Sequence, residues 1–120
     1  MNEYVPYEIA KLLKEKGFNI PTHAFYNSNK GYRFKFDSCL INRNAGIYVS
    51  APIYQSVFAW FRTYYIYAWI EPYSMDIDGE ALDFKYCMFV EDNYEESNSN
   101  YHTFEEAENE CIKYICKYYI

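Results

Sequence analysis

Two apolar rhythms alternate along the chain. Ile9, Leu12 and Leu13 recur at helical spacing, which predicts a helix from about Pro6 to Lys16, stopped by Gly17. Pro6 suits a first helical position, where a missing N–H is no loss. Thr22–Tyr26 and Tyr32–Phe36 are short aromatic runs flanking Asn27–Gly31, a turn composition, and together they predict a hairpin. In its second arm Tyr32, Phe34 and Phe36 share one face, and Arg33 and Lys35 the other. Residues 37–50 are less regular, with a turn signal at Asn42–Gly46. Ile53, Val57, Trp60, Phe61 and Tyr64 form a second helical stripe, predicting a helix from Ala51 or Pro52 to Tyr64 with Ser50 as cap.

The next segment switches to a strand rhythm. Asp78-Gly79 is a two-residue hairpin signal of the type I′ kind, needing positive φ at both positions. Folding about it pairs Met75 with Leu82, Tyr73 with Phe84, Glu71 with Tyr86, Trp69 with Met88 and Tyr67 with Val90. All but Glu71 are apolar or aromatic, so the pairing predicts one greasy face. The tip should be wet on one side and the base buried on both. Pro72 removes a ladder donor and predicts a bulge or an edge position. Asp92–Tyr101 is polar throughout and predicts a mobile loop. Thr103 and Glu106 form a capping box, opening a last helix that runs to about Tyr118. Its apolar stripe is Phe104, Ala107, Cys111, Tyr114 or Ile115, and Tyr118, while Glu106 and Glu110 precede Lys113 and Lys117 on the polar side.

The order is α-ββ-α-ββ-α. It predicts an α+β fold, one domain over residues 1–120, with an antiparallel sheet and helices packed mainly on one face. The length of 120 residues suits one core without staples. With 51% hydrophobic residues, disorder is not expected. No apolar run is long enough for a membrane helix, and the first residues lack a basic region followed by an apolar one, so the expected location is the cytoplasm.

Charge changes the picture more by its distribution than by its net value of −6. Residues 76–110 carry twelve acidic side chains and a single basic one, Lys85. Such a chain is not expected to bind nucleic-acid backbones, which need a basic footprint. The ordinary reading of the acidic run is a solvated loop and helix start. The functional reading is a face for a basic protein partner. Glu91, Asp92, Tyr94, Glu95, Glu96 and Tyr101 are the candidate partner-binding residues, because they combine charge density with interleaved aromatics. Sixteen tyrosines bring the aromatic share to 22%, and some must be exposed, although AT-rich codon usage also explains much of the excess.

Catalytic, metal and cofactor chemistry find little support. Cys39, Cys87, Cys111 and Cys116 form no C-x-x-C pair, and free buried thiols are expected. Cys111 and Cys116 stand about 140° apart around a helix, too divergent to share a metal. Ser74–Lys85 grazes a calcium loop, but Lys85 stands where a bidentate Glu is needed. No nucleophile elbow, zinc-protease, Walker or dinucleotide motif occurs, so no catalytic residue, metal or cofactor is assigned. His23 with Cys39 is the one conceivable thiol–imidazole pair, and His102 precedes a helix cap.

Three segments carry a resemblance: A-K-L-L-K-E-K-G-F at 10–18, S-A-P-I-Y-Q-S-V-F-A-W-F-R at 50–62 and T-F-E-E-A at 103–107. With these the chain resembles uncharacterised small proteins of gut anaerobic bacteria, often found in phage or prophage settings. It departs from them after Arg62, where Thr-Tyr-Tyr-Ile replaces a charged helix end. The resemblance implies an accessory protein of a mobile element and supplies no activity. The leading expectation is thus a non-enzymatic binding module. A self-associating homo-oligomer, its basic N-terminal part docking on a neighbour's acidic stretch, comes second. A small enzyme built on His23 and Cys39 comes last.

Overall fold

Helix α1 spans Tyr7–Glu15, with Pro6 just outside it in extended conformation (φ −70°, ψ 164°). Its end is fixed by Gly17, whose φ of 87° lets the chain reverse. The N–H of Gly17 then reaches the Lys14 carbonyl, and that of Phe18 the Leu13 carbonyl. Both bonds occupy carbonyls that the helix itself leaves unpaired. The computed structural model describes residues 3–27, 33–35 and 48–120, with the backbone alone for 33–35. The anticipated turn over residues 28–31, the side-chain faces of Tyr32–Phe36, the turn Asn42–Gly46 and Cys39 lie outside the described residues.

The fold is α+β, and the order helix, hairpin, helix, hairpin, helix holds, with one further strand on each hairpin. Contacts divide the chain into two compact units, residues 2–60 and 61–119. The first contains α1 and a three-stranded antiparallel sheet in the order β2-β1-β3, where β1 is Ala24–Asn27, β2 Arg33–Lys35 and β3 Tyr48–Ser50. Strand β3 was not anticipated. It pairs Ser50 with Phe25 and Tyr48 with Asn27. The extended chain continues past it: the Ala51 N–H bonds the Ala24 carbonyl, and the Pro52 carbonyl accepts from Val5. Because residues 48–53 serve as extended backbone, helix α2 starts at Tyr54, not at Ala51 or Pro52, and Ser50 is a strand residue, not its cap. It ends at Arg62, leaving Tyr64 46% exposed outside the stripe. Ile9, Leu13, Phe18, Phe25, Val57 and Trp60 are buried. Phe18 meets Trp60 edge-on at 5.2 Å, and the Tyr26 hydroxyl donates to the Val5 carbonyl at 2.6 Å.

The second unit is a meander, β4 (Ile66–Met75), β5 (Ala81–Val90) and β6 (Asn93–Glu96), covered on one face by helix α3 (Phe104–Tyr118). The β4–β5 hairpin forms, but its register is shifted by one residue from that expected. Trp69 lies opposite Cys87, Glu71 opposite Lys85 and Tyr67 opposite Phe89. The turn is the cause. Only Gly79 has positive φ (86°), and the loop is the three residues Ile77–Gly79 closed by the bond from Asp76 N–H to the Glu80 carbonyl. The Asp76 carboxylate also accepts the N–H groups of Asp78 and Glu80, both at 2.9 Å, which favours the longer loop. One added loop residue moves each partner by one and exchanges the faces of β4. Tyr67 and Phe89 at the base are therefore about half exposed, and Tyr73, Met75, Ile77 and Leu82 leave the tip exposed on both sides. The register slips again after Pro72, as a proline there leads one to expect.

Residues 93–96 are strand, not loop. The connection Glu91–Asp92 carries positive φ at both residues (51° and 68°), the type I′ signature expected at Asp78-Gly79. Helix α3 opens as its capping box implies, with Thr103 Oγ1 accepting from the Glu106 N–H at 3.0 Å. Its buried stripe is Ala107, Cys111, Ile112, Ile115 and Cys116, whereas Phe104 and Tyr118 remain partly exposed. Cys87, Cys111 and Cys116 are buried thiols outside any disulfide.

Candidate functional site: the acidic edge of the second sheet

Alternation along the strands assigns each side chain of the second sheet to one of two faces. Phe84 and Tyr86 turn toward α3, where Phe84 meets Phe104 at 5.8 Å and Tyr86 meets Tyr114 at 5.7 Å. The opposite face carries Tyr67, Trp69, Glu71, Lys85, Cys87, Phe89, Tyr94 and Glu96. Three of its rings cluster, Trp69 with Phe89 at 5.6 Å, Phe89 with Tyr94 at 5.5 Å and Trp69 with Tyr94 at 6.2 Å.

Beside the rings, a charge ladder crosses the three strands. Lys85 Nζ lies 2.8 Å from Glu96 and 3.4 Å from Glu71. The Trp69 indole N–H donates to Glu71 at 3.0 Å, and the Tyr94 hydroxyl donates to Glu96 at 2.8 Å. The Trp69 bond, and after it Lys85, holds the Glu71 carboxyl below its ordinary range. Lys85, and after it Tyr94, does the same for Glu96. The Glu96 bond, then Glu71, pushes the Lys85 ammonium up. All three stay ionised across the neutral range. Cys87 is fully buried behind this ladder, and burial raises its thiol.

The six candidate partner-binding residues do not share one face. Glu91 and Asp92 form the exposed turn. Tyr94, 49% exposed, and Glu96 belong to the ring-bearing face. Glu95 belongs to the α3 side, where it accepts the Tyr114 hydroxyl at 2.6 Å and the Tyr119 hydroxyl as well. Tyr101 also lies on the α3 side. It is bridged to Phe84 through backbone bonds in both directions and is stacked on Tyr86 at 6.1 Å. Glu95 and Tyr101 thus hold the unit together, while Glu91, Asp92, Tyr94 and Glu96 are presented outward. Sequence reasoning missed the ring cluster because the one-residue register error had placed Trp69 and Phe89 on opposite faces. It also missed the exposed tip residues, Ile77 above all, which is wholly exposed.

The outer edge of β6 has a defined backbone pattern. In an antiparallel ladder, alternate residues bond the neighbouring strand and the others aim away. The bond from Ser97 N–H to the Tyr86 carbonyl fixes the parity. Asn93 and Glu95 therefore bond β5, and Tyr94 and Glu96 direct their N–H and C=O groups outward.

Neither histidine is among these residues. His102 is almost fully exposed, with Nδ1 3.5 Å from Asp83. His23 lines a cleft of about 310 Å³ in the first unit together with Glu3 and Ser56, and none of these three side chains hydrogen-bonds another. Its suggested partner Cys39 is outside the described residues. Among the described residues, no three metal-binding side chains group together, and no helix is long and apolar enough to cross a membrane. No family model, curated protein or solved structure matches the chain.

Proposed function

We propose that the chain is a non-enzymatic protein-binding module that takes a basic partner on the flank formed by Glu91, Asp92, Tyr94 and Glu96. The observation that carries this reading is the joint presentation of exposed rings and carboxylates on one sheet edge, within the sequence stretch 76–110, whose sole basic side chain, Lys85, is already engaged by Glu71 and Glu96. Exposed aromatics supply binding energy at low entropy cost, and the carboxylates add steering and selectivity. On this reading, and on the resemblance set out above, it serves in the cytoplasm as an accessory protein of a mobile element. The acidic field disfavours nucleic acid as the partner.

The test is a titration with a fluorescently labelled oligolysine peptide at about 0.15 M salt, where weak surface attraction is screened. Neutralising Glu91, Asp92 and Glu96 to Gln, Asn and Gln should weaken binding by about tenfold, since surface charge contacts each contribute modestly. Neutralising Glu105, Glu106 and Glu110 changes net charge equally but lies on α3. Equal losses in both variants would reduce the effect to net charge and remove the site. Sedimentation of the unliganded chain at the same salt tests the self-associating alternative.

A further inference from the structure

We infer that the partner binds by adding a strand to β6: an extended basic segment lies antiparallel along its outer edge, with its cationic side chains over Tyr94 and Glu96. This rests on the basic-partner reading and specifies how that partner is held.

Four observations converge on the edge. First, the N–H and C=O groups of Tyr94 and Glu96 aim outward and make no hydrogen bond among the described residues. An added strand would satisfy them, and alternate side chains would supply specificity. Second, the two outer edges of this meander differ. Strand β4 is interrupted by Pro72 and by two register irregularities, devices that discourage pairing, whereas β6 pairs regularly from Asn93 to Glu96. Third, β6 carries acidic side chains and no lysine. Antiparallel pairing of β6 with a second copy of itself would set glutamates against glutamates, which disfavours that occupant. A lysine- or arginine-bearing strand meets the opposite situation. Fourth, in an antiparallel ladder, residues opposite Tyr94 and Glu96 project to the same face as these two. A lysine there reaches both the exposed Tyr94 ring and the Glu96 carboxylate, whose side chain is 46% exposed.

The occupant is therefore an extended segment with basic residues at alternate positions, and apolar residues between them facing the α3 side. The edge is short, and the two-residue turn Glu91–Asp92 at one end adds two more carboxylates. A segment of about six residues spans strand and turn.

The test uses a synthetic peptide of alternating lysine and valine and two backbone-methylated isomers, one N-methylated at the lysines and the other at the valines. All carry the same charge. Under antiparallel strand addition, the lysine N–H groups bond β6 and the valine N–H groups point away. Methylation at the lysines should then cut affinity by at least about tenfold, and methylation at the valines should change it little. In the complex with the unmodified peptide, amide exchange at Tyr94 and Glu96 should slow, while Glu95, already bonded to β5, should change little. Equal binding of all three peptides, or loss only with methylated valines, overturns the strand-addition geometry and leaves the basic-partner reading standing. Failure of even the unmodified peptide to bind more tightly than to the Glu91, Asp92 and Glu96 neutralised variant overturns both.

Discussion

The Tyr114 hydroxyl donates to the Glu95 carboxylate at 2.6 Å, tying the last helix to the edge strand of the second sheet. That bond is the main cause that pushes the Tyr114 phenol up to about 12, with burial adding to it. Tyr114→Phe removes the donor and leaves the carboxylate one partner short. It should cost about 1.5–3 kcal/mol, the range of hydrogen bonds to charged groups. Urea unfolding checks the loss. Spectrophotometric titration of the native protein should show one tyrosine fewer ionising near pH 12. An unchanged midpoint would show that Tyr119 alone suffices to hold Glu95.

The turn at Glu91–Asp92 asks two side-chain-bearing residues to hold positive φ, a conformation that suits Asn and Gly. Replacing them together by Asn and Gly should stabilise the protein by about 1 kcal/mol. The same change removes two carboxylates and should weaken oligolysine binding. Opposite movement of stability and affinity is the expected signature, read by thermal melts and by titration. A fall in melting temperature would contradict the turn assignment.

Burial, with repulsion from Glu105 as a lesser cause, pushes the Glu108 carboxyl from its ordinary 4.5 up to about 7. Between these values the folded state holds a proton that the unfolded chain has released, so this group's contribution to stability falls as pH rises through that window. The shift sets an upper bound of about 3 kcal/mol, and solvent around the half-buried carboxyl reduces this to about 1–2 kcal/mol. Glu108→Gln should therefore raise the melting temperature at pH 8 by about 4 °C or more and leave it almost unchanged near pH 4.5. Equal shifts at both values would assign the effect to packing. The Glu71–Lys85–Glu96 ladder works in the opposite sense: its carboxyls are held low, so its stabilisation is complete above their ordinary range and is lost as pH falls further.

Gly17 provides a backbone test. Its φ is 87°, yet a Cβ built there would meet nothing within 4 Å. Gly17→Ala should thus cost about 1 kcal/mol from conformation alone. Differential scanning calorimetry would show it as a lower midpoint with an unaltered heat-capacity change. No destabilisation would mean that the helix end readjusts.

Much of the fold was legible in local signals. The Thr103 cap, the Gly17 stop and the apolar stripe of α1 each depend on neighbours within a few residues, and each was found. What escaped depended on pairing partners. Strand β3 has only three residues and is recruited because β1 leaves an edge free, which no periodicity in Tyr48–Ser50 announces. Strand β6 reads as a polar loop because its side chains are Asn, Tyr and Glu. It becomes a strand through the two-residue reversal before it and the Tyr114–Glu95 bond behind it. The hairpin was recognised but its register was not, since the Asp76 carboxylate decides between a two- and a three-residue loop. The division of the candidate residues between two faces depended on that same ladder.

In the second unit, every strand pairs with its neighbour in sequence, and the helix that covers them follows directly. Such wiring closes only short loops, so forming it costs little chain entropy and calls for no distant segment to arrive first. In the first unit, β3 must return to β1 across an interval of about twenty residues, a slower closure. The carboxy-terminal unit is thereby wired through shorter closures than the amino-terminal one.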